Sequence, residues 1–242
     1  MSKIPSGKEK EAYVEQMFDG IAGKYDFVNK LMSFGLDNSW RKFAVRRSEA
    51  KDGNRALDVC CGTGMLSIEL ARAVGSRGHV TGLDFSGKML EKAEHNLART
   101  SYGDQINFIK GNAMELPFVE NSFDCITVGW GLRNVPDIKK ALAEMKRVVK
   151  PGGKVISLDM AKPTALGFKQ MYWLYFEKIV PTMGKFGAGK KSAYSYLHDS
   201  AVEFPSQWEL ADTFAEVGLV ETGYHNLCGG VVAVVEGRKG DE

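Results

Sequence analysis

The fold of this chain is decided by the stretch ALDVCCGTGML, residues 56–66. Its first half is short and apolar, as in a buried strand, and two glycines, Gly62 and Gly64, then permit a sharp turn into a helix. Further along, a second strand-like run, His79–Asp84, ends in a carboxylate. A glycine turn followed by an acid at the next strand tip is typical of nucleotide-binding α/β folds. The stretch therefore predicts a nucleotide pocket at these strand ends.

The acids around the turn narrow the choice of ligand. Ser67 stands where a dinucleotide-binding turn needs its third glycine, and Gly62-Thr63-Gly64 alone would equally suit a tight turn without a ligand. Asp58 would repel a pyrophosphate in a site of low dielectric constant. Asp58 and Asp84 instead favour a ligand with cationic groups and hydroxyls. We therefore predict S-adenosylmethionine, which carries an ammonium and a sulfonium and has no phosphate.

Length and composition indicate a single α/β domain. The chain has 242 residues, of which 44% are hydrophobic, enough for a substantial core. A net charge of +2 does not provide the broad basic stripe expected of a nucleic-acid enzyme, so we expect no nucleic-acid partner. The four cysteines lack metal-ligand spacing, and we expect reduced thiols and no metal. Without a signal-like or membrane-spanning apolar run, the sequence favours a cytoplasmic protein with at most peripheral membrane contact.

Strand-like and helix-like segments alternate through the middle of the chain, which predicts a parallel sheet covered on both faces. The predicted strands are 55–60, 79–84, 106–110, 123–129 and 154–159, and the predicted helices lie near 65–74, 87–100 and 137–149. Pro151-Gly152-Gly153 is predicted to end one helix and to form the turn that leads into the next strand. Segments 220–227 and 231–236 predict a closing antiparallel hairpin.

The remaining segments divide the single domain, 1–242, into four parts. Residues 1–50 are predicted to form an N-terminal helical cap, with helical periodicity over 8–48, and 51–160 the cofactor-binding core. Residues 161–205 are predicted to be a helical lid or substrate insertion, and 206–242 a last helix, 206–217, with the hairpin. An apolar face in the lid would either pack on the domain or touch a bilayer, and the sequence leaves both open. This face comprises Phe168, Met171, Tyr172, Leu174, Tyr175, Phe176 and Ile179.

Several motifs resemble those of known methyltransferases. Segments 57–64, 82–86, 111–113 and 116–118 look like the ordered motifs of class I S-adenosylmethionine-dependent methyltransferases. Four more specific segments resemble the ubiquinone/menaquinone-biosynthesis C-methyltransferase family, and the likeness covers nearly the whole chain. They are FDGIAGKYD (18–26), GLRNV (131–135), SAYSYL (192–197) and NLCGG (226–230). The resemblance implies a Rossmann-like seven-stranded, mostly parallel sheet whose last strand is antiparallel.

The resemblance also implies cofactor contacts. An Asn side chain can donate and accept at an adenine edge, and a small Ala beside it leaves room for the ring. Two positions depart from the family pattern, since Met65 stands where Asp is common and Gly129 where Ser is frequent, so that Gly129 would contribute backbone only. The predicted cofactor-binding residues are Asp58, Gly62, Thr63, Gly64, Asp84, Phe85, Asn112, Ala113 and Gly129.

For the chemistry, the resemblance implies methylation of a ring carbon on a prenylated hydroquinone. A phenolate carries negative charge onto its ring carbons, so we expect Arg133 to stabilise the phenolate or position water, and Asn134 to orient the same hydroxyl. Alternatively, this pair would merely cap the helix near Pro136. The predicted acceptor-binding residues are Tyr25, Tyr194, Tyr196 and His198. The general base is left open among Asp26, Tyr194, Tyr196, His198 and Asp199.

The expected acceptor is demethylmenaquinol, a naphthoquinol. A 2-methoxy-6-polyprenyl-1,4-benzoquinol of the ubiquinone pathway remains an alternative, because the motifs quoted do not separate the two. A catalytically silent, methyltransferase-like scaffold is a second alternative, for which Met65 leaves room. The sequence does not decide whether the chain forms a homo-oligomer.

Overall fold

The computed structural model describes residues 7–163 and 191–241 of the chain. Its strands are β1 (Arg55–Val59), β2 (His79–Asp84), β3 (Ile106–Lys110), β4 (Phe123–Gly129), β5 (Val149–Met160), β6 (Leu219–Leu227) and β7 (Val232–Lys239). They form one sheet in the order β3-β2-β1-β4-β5-β7-β6. Strands β1 to β5 pair in parallel, and β7 is antiparallel to both of its neighbours. The predicted mixed sheet with an antiparallel last strand is confirmed.

Helices cover the sheet and its strand tips. They are α1 (Gly7–Ile21), α2 (Tyr25–Met32), α3 (Asp37–Arg47), α4 (Met65–Val74), α5 (Gly87–Leu97), α6 (Ile138–Val148), α7 (Lys191–Glu203) and α8 (Gln207–Glu216). The predicted N-terminal helices are present as α1 to α3. Residues 164–190, which carry the predicted lid face from Phe168 to Ile179, lie outside the described residues. No helix of the described part of the chain is long and apolar enough to span a bilayer.

Two predicted boundaries were wrong, each for a local reason. Helix α5 ends at Leu97 and not near 100, because the Thr100 hydroxyl and amide both donate to the Leu97 carbonyl oxygen and close the last turn. Strand β5 begins at Val149 and not at 154, because Val149 already pairs with Phe123. The predicted turn at Pro151-Gly152-Gly153 is an irregularity inside β5, where the register shifts.

The core lies on both faces of the sheet, as the alternation of strands and helices predicts. Side chains alternate along a strand, and in β1 they do so strictly. Leu57 and Val59 pack in the cluster that contains residues of α6 and α8, whereas Ala56 packs in the cluster that contains residues of α4. Asp58 follows the same alternation and therefore shares the α4 face with Ala56. A carboxylate is thus placed inside the sheet-to-helix contact directly beneath the turn.

The turn after β1 depends on left-handed backbone. Cys60, Gly62 and Gly64 have φ values of +55°, +53° and +76°. Gly64 is the N-cap of α4, and a Cβ added there would lie 2.7 Å from Cζ of Phe108. Glycine is therefore required at Gly64 both for the backbone conformation and for the close contact with β3.

Replacing Gly64 should destabilise the fold measurably. We expect Gly64→Ala to lower the free energy of unfolding by about 2 kcal/mol or more, because it adds both backbone strain and an overpacked contact. Urea denaturation followed by circular dichroism measures the difference. Gly103→Ala is the matched control, since no atom lies within 4 Å of its added Cβ. Equal stability of the two variants would contradict the tight turn described here.

Candidate active site

A cavity of about 810 Å³ opens at the carboxyl ends of β1 to β4 and is covered by the N-terminal helices. Parallel α/β sheets place their ligands at this edge, and the volume lies within the range of small-molecule sites. Most of the predicted site residues line its wall. They are Tyr25, Asp58, Gly62, Thr63, Asp84, Phe85, Asn112, Ala113, Gly129 and Asn134. Of the other predicted site residues, Gly64, Arg133, Tyr196 and His198 are not on the wall, and the side chain of Tyr194 lies outside the described part.

Asp84 connects the tip of β2 to the glycine turn. Its Oδ2 accepts the Gly62 amide at 2.8 Å, and its Oδ1 accepts the Ser86 amide at 2.9 Å. Burial raises the pKa of Asp84 to about 6, although these backbone hydrogen bonds oppose the shift. A carboxylate has about four acceptor positions, so Asp84 keeps capacity for ligand hydroxyls on the cavity side.

Asp58 lies deeper, beneath the turn, and is fully buried. Its Oδ2 accepts the Ser67 hydroxyl at 2.6 Å, and its Oδ1 accepts the Thr127 hydroxyl at 2.9 Å. Desolvation raises the pKa of Asp58 to about 7, and the nearby Asp84 carboxylate contributes to the increase. Asp58 therefore joins β1 to α4 and β4, and it is one of the residues that line the cavity.

The loop after β3 brings an amide and a small side chain to the wall. The Met114 amide donates to Oδ1 of Asn112 at 2.9 Å, and Nδ2 of Asn112 donates to Oε1 of Glu11 at 3.3 Å. Ala113 beside it is buried. Both residues line the cavity after β3, the strand that pairs with β2, and the adenine contact stays a prediction.

Acidic side chains of α1 and α2 reach the strand tips in sheet order. Glu15 pairs with Lys110 at the end of β3, with 3.0 Å between Oε1 and Nζ. The Ser86 hydroxyl, beyond β2, donates to Asp19 at 2.6 Å. The Thr63 hydroxyl, beyond β1, donates to Asp26 at 2.6 Å. Together with the Glu11 contact to Asn112, these hydrogen bonds lay the N-terminal helices across the cavity.

Arg133 is buried behind the cavity wall in an ion pair. One guanidinium nitrogen, Nη1, donates to Oδ1 of Asp159 at 2.9 Å and to the Trp130 carbonyl oxygen at 2.7 Å. Burial alone would lower the pKa of Arg133, but Asp159 and the tyrosines Tyr25 and Tyr196 raise it above its ordinary value. The guanidinium is therefore a fixed positive charge. Among the described residues, its Nε and Oδ2 of Asp159 are buried without a hydrogen-bond partner.

Asn134 lines the cavity and is held from two sides. Its Nδ2 donates to the Trp130 carbonyl oxygen at 3.0 Å, and its Oδ1 accepts the Tyr196 hydroxyl at 3.1 Å. Burial raises the pKa of Tyr196 to about 12, so this phenol stays protonated and donates at neutral pH. Burial also raises the pKa of Tyr25 on the wall, while the Arg133 charge opposes the increase. These contacts fix the orientation of the Asn134 amide.

His198 is not among the residues that line the cavity. Its Nδ1 is 3.1 Å from Oδ1 of the neighbouring Asp199, and 27% of its side-chain surface is exposed. The acceptor-binding roles of His198 and Tyr194 stay predictions from the sequence. Asp159 and Asp19 were missed by sequence reasoning, because each meets its partner only in the folded chain. Asp159 carries one available signal, since an acid inside the apolar strand β5 must find a buried partner.

The charges on the wall fit a cationic ligand better than a phosphate. Among the described residues, six acidic ones line the cavity, against three basic ones. The acids are Glu11, Glu15, Asp26, Asp37, Asp58 and Asp84, and the bases are Lys30, Lys110 and Arg41. Within residues 7–163 and 191–241, no group of three or more His, Cys, Asp or Glu side chains is placed to hold a metal ion.

Comparison with known proteins identifies relatives across the whole chain. Residues 6–239 match the model of the ubiE/COQ5 methyltransferase family. The chain is 64% identical to the protein named demethylmenaquinone methyltransferase of Desulfitobacterium hafniense, over 97% of this chain and 92% of that protein. It is 43% identical to the ubiquinone/menaquinone biosynthesis C-methyltransferase UbiE of Geotalea daltonii, over 96% of this chain and 98% of that protein.

A solved structure supports the fold assignment. It is described as an S-adenosylmethionine-dependent methyltransferase, possible histamine N-methyltransferase, from Thermotoga maritima. It matches the present structure with a TM-score of 0.66 at 20% identity, covering 93% of this chain and 98% of that one. At this identity the likeness concerns the fold alone, which is the predicted Rossmann-like methyltransferase fold.

The buried Asp58 should make stability depend on pH. Its pKa of about 7 in the folded chain exceeds the ordinary value of 3.8, so the folded state retains a proton that the unfolded chain releases. This contribution to stability is complete below pH about 4 and is lost as the pH rises through about 7. We expect Asp58→Asn to gain about 2 kcal/mol of stability relative to the wild type between pH 5 and pH 8.

Urea denaturation at the two pH values measures this difference. Asp104→Asn, at an exposed aspartate, is the control and should follow the wild type at both. A parallel pH dependence of Asp58→Asn and the wild type would show that the Asp58 carboxyl is not protonated in the folded state.

Proposed function

The chain belongs to the ubiE/COQ5 methyltransferase family, and from that premise we propose that it methylates a ring carbon of demethylmenaquinol, using S-adenosylmethionine as methyl donor. The observation that carries the proposal is the 64% identity, over 97% of this chain, with a protein named demethylmenaquinone methyltransferase. The wall residues of the cavity are consistent with the donor and with a phenolic acceptor.

The wall offers complementary groups for each part of S-adenosylmethionine. Asn112 and Ala113 would hold the adenine, the Asp84 carboxylate the ribose hydroxyls, and Thr63 with the backbone of Gly62 the amino-acid end. A Cβ added at Gly62 would meet no atom within 4 Å, so backbone is open to a ligand there. The excess of carboxylates suits a donor whose sulfonium and ammonium are cationic. When bound, the donor supplies an electrophilic methyl group on its sulfonium.

The acceptor side of the reaction needs a stabilised phenolate. A neutral ring carbon is a poor nucleophile, whereas loss of the hydroxyl proton places negative charge on the ortho and para carbons. Asn134, fixed by Tyr196 and the Trp130 carbonyl, would orient the ring hydroxyl from the cavity wall. Orientation of the acceptor carbon within about 3–3.5 Å of the methyl group supplies much of the acceleration.

Arg133 would act on the phenolate through its charge. Its guanidinium does not line the cavity, but its positive charge opposes the increase that burial causes in the pKa of Tyr25, a residue of the wall. The Nε donor of Arg133 is buried and has no hydrogen-bond partner among the described residues. A fixed positive charge in a site of low dielectric constant stabilises developing negative charge without reorganisation.

The acceptor is identified by a direct assay. With labelled methyl donor and reduced acceptors, we expect the purified protein to label the naphthoquinol with at least about tenfold higher kcat/KM than the benzoquinol, a difference of about 1.4 kcal/mol in transition-state binding. Preferential labelling of the benzoquinol would instead assign the ubiquinone pathway. Binding of the donor without labelling of either acceptor would indicate a silent methyltransferase-like protein.

The role of Arg133 requires a variant that leaves no buried charge unpaired. Arg133→Ala would leave the buried Asp159 carboxylate unpaired, which lowers the free energy of unfolding by about 3–5 kcal/mol. We therefore expect the neutral pair Arg133→Gln with Asp159→Asn to fold, to bind S-adenosylmethionine within about twofold of the wild type, and to lose at least about 100-fold in kcat. Calorimetry measures the affinity for S-adenosylmethionine, and the methyl-transfer assay measures kcat.

The control for this variant is a partly exposed Arg–Glu ion pair outside the cavity. Arg47 donates from Nε to Glu236 at 2.8 Å, and neither residue lines the cavity. Arg47→Gln with Glu236→Gln should retain turnover. Full activity of the Arg133 and Asp159 double variant would remove Arg133 from the mechanism.

A further inference from the structure

Asp26 is a carboxylate on the cavity wall to which the function above assigns no role. It is the second residue of α2 and is half-buried. Its Oδ1 accepts the Thr63 hydroxyl at 2.6 Å, and its Oδ2 accepts Nδ2 of Asn96 at 3.1 Å. These two donors come from different elements, so they hold the carboxylate in one orientation. About two of its acceptor positions remain free for a ligand.

The order of the strand tips places Asp26 at one end of the cavity. The adenine-binding residues follow β3 and the ribose-binding Asp84 ends β2, so the amino-acid end of the donor lies over the turn that follows β1. Asp26 contacts Thr63 in that turn. Asn96, which contacts Asp26, also approaches the Thr63 carbonyl oxygen at 3.0 Å and Sδ of Met65 at 3.9 Å. Since Met65 carries no charge, it offers no ionic partner at this end.

The acid beneath the turn is less suited to pair with an ammonium group. Asp58 is fully buried beneath the turn, where it accepts the Ser67 and Thr127 hydroxyls, whereas Asp26 is half-buried. Asp84 is engaged by the Gly62 and Ser86 amides and faces the ribose position. Asp26 is thus a half-buried carboxylate on the wall that is hydrogen-bonded to the β1 turn and belongs to a helix above it.

We propose that Asp26 is a cofactor-binding residue that pairs with the ammonium group of S-adenosylmethionine. This assignment rests on the proposed donor but not on the acceptor. It couples donor binding to the N-terminal cap, because Asp26 belongs to α2 and not to the sheet. A charge-assisted hydrogen bond of this kind corresponds to about 10- to 100-fold in affinity.

The test compares two ligands that differ at the amino-acid end. S-adenosylhomocysteine has the ammonium and carboxylate groups, whereas 5′-methylthioadenosine lacks both. By calorimetry, we expect Asp26→Asn to bind S-adenosylhomocysteine about 10- to 100-fold more weakly than the wild type does. Binding of 5′-methylthioadenosine should change less than about twofold, and Asp26→Glu should recover part of the lost affinity.

Asp19→Asn is the matched control, because Asp19 also accepts a loop hydroxyl at 2.6 Å but is not on the cavity wall. It should bind both ligands as the wild type does. Unchanged S-adenosylhomocysteine binding by Asp26→Asn would overturn the proposal. Equal losses for both ligands would also overturn it, since they indicate a collapsed turn and not a lost ion pair. Failure of the wild type to bind either ligand would refute the donor itself, whereas a failed quinol assay leaves the Asp26 result intact.

Discussion

The hydrogen bond from the Gly62 amide to the Asp84 carboxylate, 2.8 Å long, is the interaction on which the rest of the site depends. It joins the left-handed turn after β1 to the tip of β2, so that two strand ends act as one rigid edge. Gly64 makes this geometry attainable, because only a residue without Cβ fits against Phe108. The cavity, its carboxylates and the start of α4 are all positioned from this edge.

Burial of acids is the second constraint. Asp58 and Asp84 both have raised pKa values because desolvation outweighs their hydrogen bonds. A cationic donor would relieve that cost, whereas a phosphate would increase it. The same principle operates behind Asn134, where Arg133 and Asp159 form an ion pair away from solvent. The site therefore has carboxylates at the tips of β1 and β2 and the Arg133–Asp159 ion pair behind Asn134.

Sequence reasoning succeeded where a local pattern has a local cause. The β1 turn, the parallel strands and the closing hairpin follow from apolar runs and glycines, and the structure contains them. It failed at β5, because pairing of Val149 with Phe123 overrides the breaker Pro151-Gly152-Gly153. The sequence also does not show that Arg133 and Asn134 have different surroundings. These neighbours point to different partners, one to Asp159 behind the wall and the other to the cavity.

By itself, then, the sequence determined the methyltransferase fold, the family and the strand tips where the donor is expected, because each follows from residues close together in the chain. Only the tertiary structure decided which acids face the cavity and which form hydrogen bonds to buried groups inside the protein. Asp58 and Asp26 illustrate this, since their roles depend on Thr127 and Thr63, which lie 69 and 37 residues away. Such long-range partners set burial and charge, and no local pattern encodes them.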